Sequence, residues 1–416
     1  MPILSNIATA YTCRAAGRQE DVHPIDDAAL VWEGETIAWV GPERDLPDAY
    51  ADAETIDVGG RIVVPGLVDS HTHLAFGGWR AEEFEMRIRG VSYTDIARQG
   101  GGIRSTTEAT RAAGADELVA RCQHFLRAMT RLGVTTVECK SGYGLNVEDE
   151  LKTLRVYRQL QDEVPHTIIS TFLGAHLIPP EFENDRSGYI DLLTDELIPR
   201  IAAEDLAAFC DAFVEETAFT PDEARTIFDA ATAHGLQPKL HADQLSDTGG
   251  GALAAEVGAA SADHLEYVSA QSITAMAKAD VVAGSLPLAT LYLNELPLPA
   301  RRLIEAGVPV AVATDFNPGT APSYHLPVAM TLACTMQRMT PAEVLKGTTC
   351  YAARSIRQEH VLGSLEPGKR ADLVVVDVPS LNHWLYHLRP NAAVATFMGG
   401  QVAWAESGTG IGIEKG

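Results

Sequence analysis

The chain has 416 residues and a formal net charge of −24, from 32 Lys+Arg against 56 Asp+Glu. With 46% hydrophobic and 21% charged residues, its composition is that of a folded globular protein, which excludes a disordered or fibrous chain. The acidic surplus argues against nucleic acid and anionic membrane surfaces as partners, and no apolar run is long enough to span a membrane.

The N-terminal stretch MPILSNIATAYTCRAAGRQED has no continuous apolar core and reads as folded protein, not as a signal peptide. The six cysteines include no CxxC pair, which fits reduced thiols in a cytoplasm better than a disulfide framework. Residues 28–32 and 36–40 are short β-type runs about the turn Glu33-Gly34-Glu35. The same texture returns at 372–376, 393–397 and 401–404, so the two chain ends are expected to meet in one small β domain.

Between them, apolar strand-like runs fall at 67–69, 134–140, 167–173, 209–214, 238–242, 262–267, 281–286 and 308–314. Amphipathic stretches at 116–132, 147–161 and 221–234 separate several of these runs. Such alternation predicts a parallel sheet whose strands are buried on both faces. Eight units in this length fit an α/β fold of the (β/α)₈ TIM-barrel type, with a doubly wound open sheet as the alternative. The expected division is 1–65 and 363–416 as the two parts of a β-sandwich, and 66–362 as the barrel.

The polar residues at strand ends favour the barrel. In Leu67-Val68-Asp69-Ser70-His71-Thr72-His73, residues 71 and 73 share one side of a strand and can aim two imidazoles at one metal ion. Two structural histidines capping a strand are the alternative. His241 ends the fifth run, His264 the sixth and Asp315 the eighth. Each alone reads equally well as a satisfied polar residue. Together they fall at C-terminal strand ends, where barrel active sites are built, and form a donor set suited to zinc or iron. No GxSxG or GxxxxGK[ST] occurs, so a nucleophile elbow and a P-loop have no support.

These residues resemble the amidohydrolase superfamily, metal-dependent hydrolases on a (β/α)₈ barrel with a flanking β-sandwich. The connecting motifs resemble its imidazolonepropionase family: Phe76-Gly77-Gly78-Trp79-Arg80, Gly90-Val91-Ser92-Tyr93, Gln99-Gly100-Gly101-Gly102-Ile103, Lys140-Ser141-Gly142-Tyr143-Gly144-Leu145, Phe172-Leu173-Gly174-Ala175-His176 and Asp315-Phe316-Asn317-Pro318-Gly319. The resemblance implies hydrolysis of 4-imidazolone-5-propanoate to N-formimidoyl-L-glutamate, by a cytoplasmic homodimer with one Zn²⁺ or Fe³⁺ per subunit. It implies His71, His73, His241 and Asp315 as metal ligands, with Asp315 and His264 as the catalytic groups. Arg80, Tyr143, His176, Gln244, Asn317, Gly319 and Thr320 are the implied substrate contacts.

Some of these residues also have bland readings. Arg80 suits a carboxylate but can equally pair with Glu82 or Glu83, and Tyr143 can simply mark a turn. Deaminases of the same fold, the runner-up function, carry Glu three residues after the fifth-strand histidine; Gln244 stands there in this chain. Lys140 lies on the second strand, and no lysine ends the fourth, so a lysine bridging two metals is not expected.

Overall fold

A computed structural model describes residues 1–91, 95–96 and 100–411. Ser92, Tyr93 and Gln99 of the motifs above lie outside the described residues.

Two sheets organise the chain. β1 (Pro2–Tyr11), β2 (Pro24–Glu33), β3 (Thr36–Pro42) and β4 (Glu54–Pro65) join the C-terminal β13 (Leu373–Val376), β14 (Ala393–Met398) and β15 (Gln401–Ala405). Their order is β15-β14-β13-β4-β1-β2-β3 in one continuous sheet. Trp32 on β2 and Phe397 on β14 stand four strand steps apart, about 19 Å on a flat sheet. Their ring centroids are nevertheless 5.9 Å apart, so the sheet curls until its two ends face each other over a shared apolar core.

The middle of the chain forms the barrel: β5 (Leu67–Thr72), β6 (Val134–Lys140), β7 (Thr167–Ala175), β8 (Phe209–Val214), β9 (Gln237–Ala242), β10 (Ser261–His264), β11 (Val282–Ser285) and β12 (Val310–Val312). They pair in sequence order and in parallel. Closure comes at the site itself, where Asp315 N donates to His71 O at 3.0 Å and His73 N to Phe316 O at 2.8 Å. The strands read as apolar runs because both faces are covered. Helix Ala115–Arg131, for instance, buries Leu118, Cys122, Phe125, Leu126 and Met129 on one stripe. Local signals start the helices: before Pro221–Ala233, Thr220 and Glu223 form a reciprocal capping box with Pro at the first helical turn.

β4 runs directly into β5 through Pro65-Gly66, coupling the curled sheet to the barrel. A second tie lies at the barrel's N-terminal face. The Gln19 side chain donates to Val310 O at 2.7 Å and accepts from Val310 N at 3.0 Å. Lys346, fully buried, donates to Ala16 O, Arg18 O and Asp21 O at 2.9–3.1 Å.

Two strands stop well before the ends of the runs the sequence suggests, and both do so next to the site. β10 ends at His264 because His264 (φ 78°) and Leu265 (φ 66°) adopt left-handed backbone. β12 ends at Val312; beyond it Thr314 N and Oγ1 donate to Asp69 at 2.9 and 2.6 Å, and Asp315 has φ 55°. Such strain costs roughly 1–3 kcal/mol per residue and tends to persist where function requires the geometry.

Candidate metal centre and substrate pocket

His71 and His73 leave β5 on the same side, as strand alternation demands, and His241 enters from β9 across the barrel. Their Nε2 atoms converge: His71 to His241 is 3.1 Å and His241 to His73 is 3.4 Å. Asp315 Oδ1 lies 3.5 Å from His71 Nε2 and 3.4 Å from His73 Nε2. Neighbouring donors held 2.0–2.1 Å from one ion are separated by about 3.3–3.4 Å, close to these four separations. The donors group as two triads that share His71, one with His73 and Asp315 and one with His241 and His264.

Protonation states agree with that fit. Burial pushes His73 down to about 3 and His241 to about 4, and depresses His71 as well. The imidazoles are therefore neutral at pH 7. His71 Nδ1–H donates to Asp263 Oδ2 at 2.7 Å, which turns its Nε2 lone pair toward the cluster. His241 Nδ1 lies 3.1 Å from Asp211 Oδ2, off the line of a hydrogen bond, while its backbone N donates to Asp211 Oδ1. Lone pairs and a carboxylate oxygen gathered out of water repel one another unless a cation sits among them. The donor set fits a divalent metal.

Behind the cluster, charges are buried in pairs. Lys140 Nζ lies 2.8 Å from Glu138 and 2.7 Å from Asp211, and Asp263 is 4.0 Å away. Burial alone would lower the Lys140 pKa, but Asp211, Glu138 and Asp263 outweigh it and hold the ammonium charged. Lys140 is thus engaged as a cation by carboxylates. Asp211, Asp263 and Glu138 escaped the sequence reading because they sit inside otherwise apolar strands. Charged residues at inward positions of such strands were the signal available.

The implied substrate residues fall into two groups. Tyr143 and His176 flank the cluster: the His176 ring stacks on His73 at 5.4 Å and 23°, and Tyr143 lies 5.4 Å from His176 and 5.7 Å from His73. His176 Nδ1–H donates to Gly142 O at 2.9 Å. Gly142 has φ 101°, and a side chain there would meet His176 Nδ1 at 3.1 Å and Leu173 O at 2.8 Å, so glycine permits this approach.

Arg80, Asn317, Gly319 and Thr320 form the second group. Arg80 is buried, and its Nε and Nη2 donate to Glu83 Oε2, both at 2.8 Å. The ion pair anticipated for Arg80 exists, but inside the protein. A Cβ at Gly319 would lie 2.1 Å from Arg80 Nη1, so the guanidinium rests on that glycine. Asn317 shapes the loop with its own amide: Nδ2 donates to Asp315 O and Thr320 Oγ1, and Oδ1 accepts from Gly319 N and Thr320 N. Gln244 is half-buried on the loop after His241, which Glu215 secures by accepting from Leu245 N and from Ser246 N and Oγ. His264 lies beside the cluster, its ring 5.4 Å from His241 and 5.8 Å from His71.

Comparison with known proteins matches the amidohydrolase family over residues 62–403. The chain is 46% identical over 389 residues to "Imidazolonepropionase" of Geobacillus thermodenitrificans, covering 92% of each chain. It is 48% identical over 379 residues to that of Paracoccus denitrificans, covering 91% of this chain and 94% of the relative. The chain belongs to the imidazolonepropionase family. Among solved structures, an adenosine deaminase from Xanthomonas campestris with bound zinc superposes with a TM-score of 0.73 over 96% of this chain and 92% of its own. At 17% identity that likeness concerns the fold alone. For an imidazolonepropionase-family chain, the metal cluster and buried arginine are the features from which a reaction must be built. Among the described residues, no helix is long and apolar enough to cross a membrane.

Proposed function

We propose that this chain hydrolyses 4-imidazolone-5-propanoate to N-formimidoyl-L-glutamate, a ring-opening step of histidine degradation, with one zinc or iron ion per subunit held by His71, His73, His241 and Asp315. The observation that carries the reading is the donor cluster, whose neighbouring atoms lie 3.1–3.5 Å apart. Three imidazoles and a carboxylate accept either metal. A bound ion would supply Lewis acidity, bringing the pKa of water toward ~7 and polarising a carbonyl oxygen.

The chain's own groups do the rest. Water adds to the ring carbonyl carbon, the C–N bond to the adjacent ring nitrogen breaks, and that nitrogen gains a proton. Asp315 accepts a proton from the attacking water, and His264 orients that water. Gln244 contributes hydrogen bonds but moves no proton, which separates this site from a deaminase. Tyr143 and His176 flank the flat ring. Arg80 binds the propanoate through charge-assisted hydrogen bonds, overcoming locally the repulsion of an acidic protein for an anionic substrate. The loop of Asn317, Gly319 and Thr320 closes that end of the pocket.

The six cysteines are all free thiols, which supports a cytoplasmic setting, and the family resemblance supports a homodimer. Incubation with 4-imidazolone-5-propanoate tests the proposal. Loss of ring absorbance with formation of formimidoylglutamate is expected, and ammonia release with the ring retained would overturn it.

A further inference from the structure

One buried carboxylate beside the cluster has no part in the reading above. Glu266 has a side chain 2% exposed, and its Oε1 accepts from Thr290 Oγ1 at 3.0 Å. Its Oε2 is buried with no hydrogen-bond partner. Facing it at 3.8 Å is His264 Nδ1, equally buried and equally without a hydrogen bond. Buried polar atoms normally find partners, so two unmet atoms directed at each other, one able to donate and one to accept, form a pair a small side-chain adjustment would close.

The backbone is arranged around that juxtaposition. His264 and Leu265 are consecutive left-handed residues, at φ 78° and 66°. Leu265 N donating to Ala242 O and Tyr267 N to Asp243 O, both at 2.9 Å, hold the bend. The bend buries His264 and Glu266 together, with the His264 imidazole against the donor cluster, where it groups with His71 and His241. Thr290, just after β11, fixes the other carboxylate oxygen.

We propose that Glu266 is the positioning residue for His264: it accepts the Nδ1–H, fixing the ring's orientation and leaving Nε2 as the acceptor toward the cluster. This rests on the reading that His264 orients the attacking water. Because Gln244 cannot move a proton, the tautomer of His264 decides which groups at the site accept and which donate. Asp315 and Asp263 also face this imidazole, and Glu266 is the carboxylate nearest its Nδ1.

The test combines kinetics with spectroscopy on the full-length protein. In the metal-loaded enzyme, Glu266→Leu is expected to lower kcat on the order of 10²-fold with metal content unchanged and KM within about twofold. Glu266→Gln retains an acceptor oxygen and should restore kcat to within about tenfold of the parent. In a His264→Asn background, Glu266→Leu should change kcat by less than about twofold, as expected of residues acting as one unit. Nitrogen-15 spectra of labelled histidine in metal-free protein should give the Nδ1–H tautomer at His264, lost in Glu266→Leu. An unchanged tautomer, or the same fold loss of kcat in both backgrounds, overturns the proposal. Full kcat in His264→Asn alone would overturn the role of His264, while the tautomer spectra still decide whether Glu266 fixes its ring.

Discussion

Inside the curled end sheet, Leu4, Ile7, Leu30, Trp32, Val63 and Phe397 pack as an apolar cluster. Inside the barrel, at least as far from solvent, lie Lys140, Glu138, Asp211, Asp263, Lys239 and Asp69, below three imidazoles and Asp315. Apolar burial stabilises without further conditions, at roughly 25 cal/mol per Å² removed from water. Buried charges stabilise only when every partner is in place, and removing one partner is more damaging than never having buried the pair. The interior of the end sheet is therefore stabilised by apolar burial alone, whereas the barrel keeps its larger apolar core between strands and helices and spends stability inside on directing donor atoms at one point.

Substitutions on each side should separate these roles, and the largest effect is expected in the barrel. Asp315→Asn should lower kcat by about 10³-fold or more, with metal content reduced and the melting temperature of metal-free protein little changed, as steady-state kinetics and calorimetry would read. In the end sheet, Phe397→Ala should remove about 3–5 kcal/mol of stability in urea titrations while leaving kcat per folded molecule intact. A large fall in kcat for that variant would break the division.

His166 probes the seam between the two regions. It sits 3.0 Å from Thr130 Oγ1, and Thr130 O accepts from Thr396 of β14. Burial pushes His166 down to about 4, below its ordinary 6.5. The unfolded chain therefore takes the proton first, so stability is full above pH 6.5 and declines as pH falls toward 4, by up to ~3 kcal/mol. His166→Gln should flatten the stability–pH curve across that window. The smallest effect is on substrate binding: Arg80→Ala should raise KM about 10–100-fold with kcat within a few-fold. Equal kinetics in Arg80→Ala and the parent would remove the carboxylate anchor from the account.

Much of this was legible in the chain. Strand–helix alternation and the His71-Thr72-His73 pair, with polar ends at 241, 264 and 315, led to a barrel and a metal. Strand limits near the site were overestimated because the apolar pattern continues while the backbone does not: His264, Leu265 and Asp315 turn left-handed. The part Asn317 plays in building its own loop had no signal in the sequence. Asp263 was passed over beside His264, although Asp263 is what orients His71. Pairing across the barrel, between residues almost two hundred positions apart, leaves no local pattern in the sequence.

The central claim is that one ion sits among His71, His73, His241 and Asp315. Anomalous X-ray diffraction at the zinc and iron absorption edges, on crystals of protein whose metal content has been measured, addresses it directly. The account predicts close to one equivalent of metal per chain and a single strong anomalous peak about 2 Å from the three Nε2 atoms and an Asp315 oxygen. Metal-free protein with full activity, or a peak elsewhere with those four side chains unliganded, would contradict it.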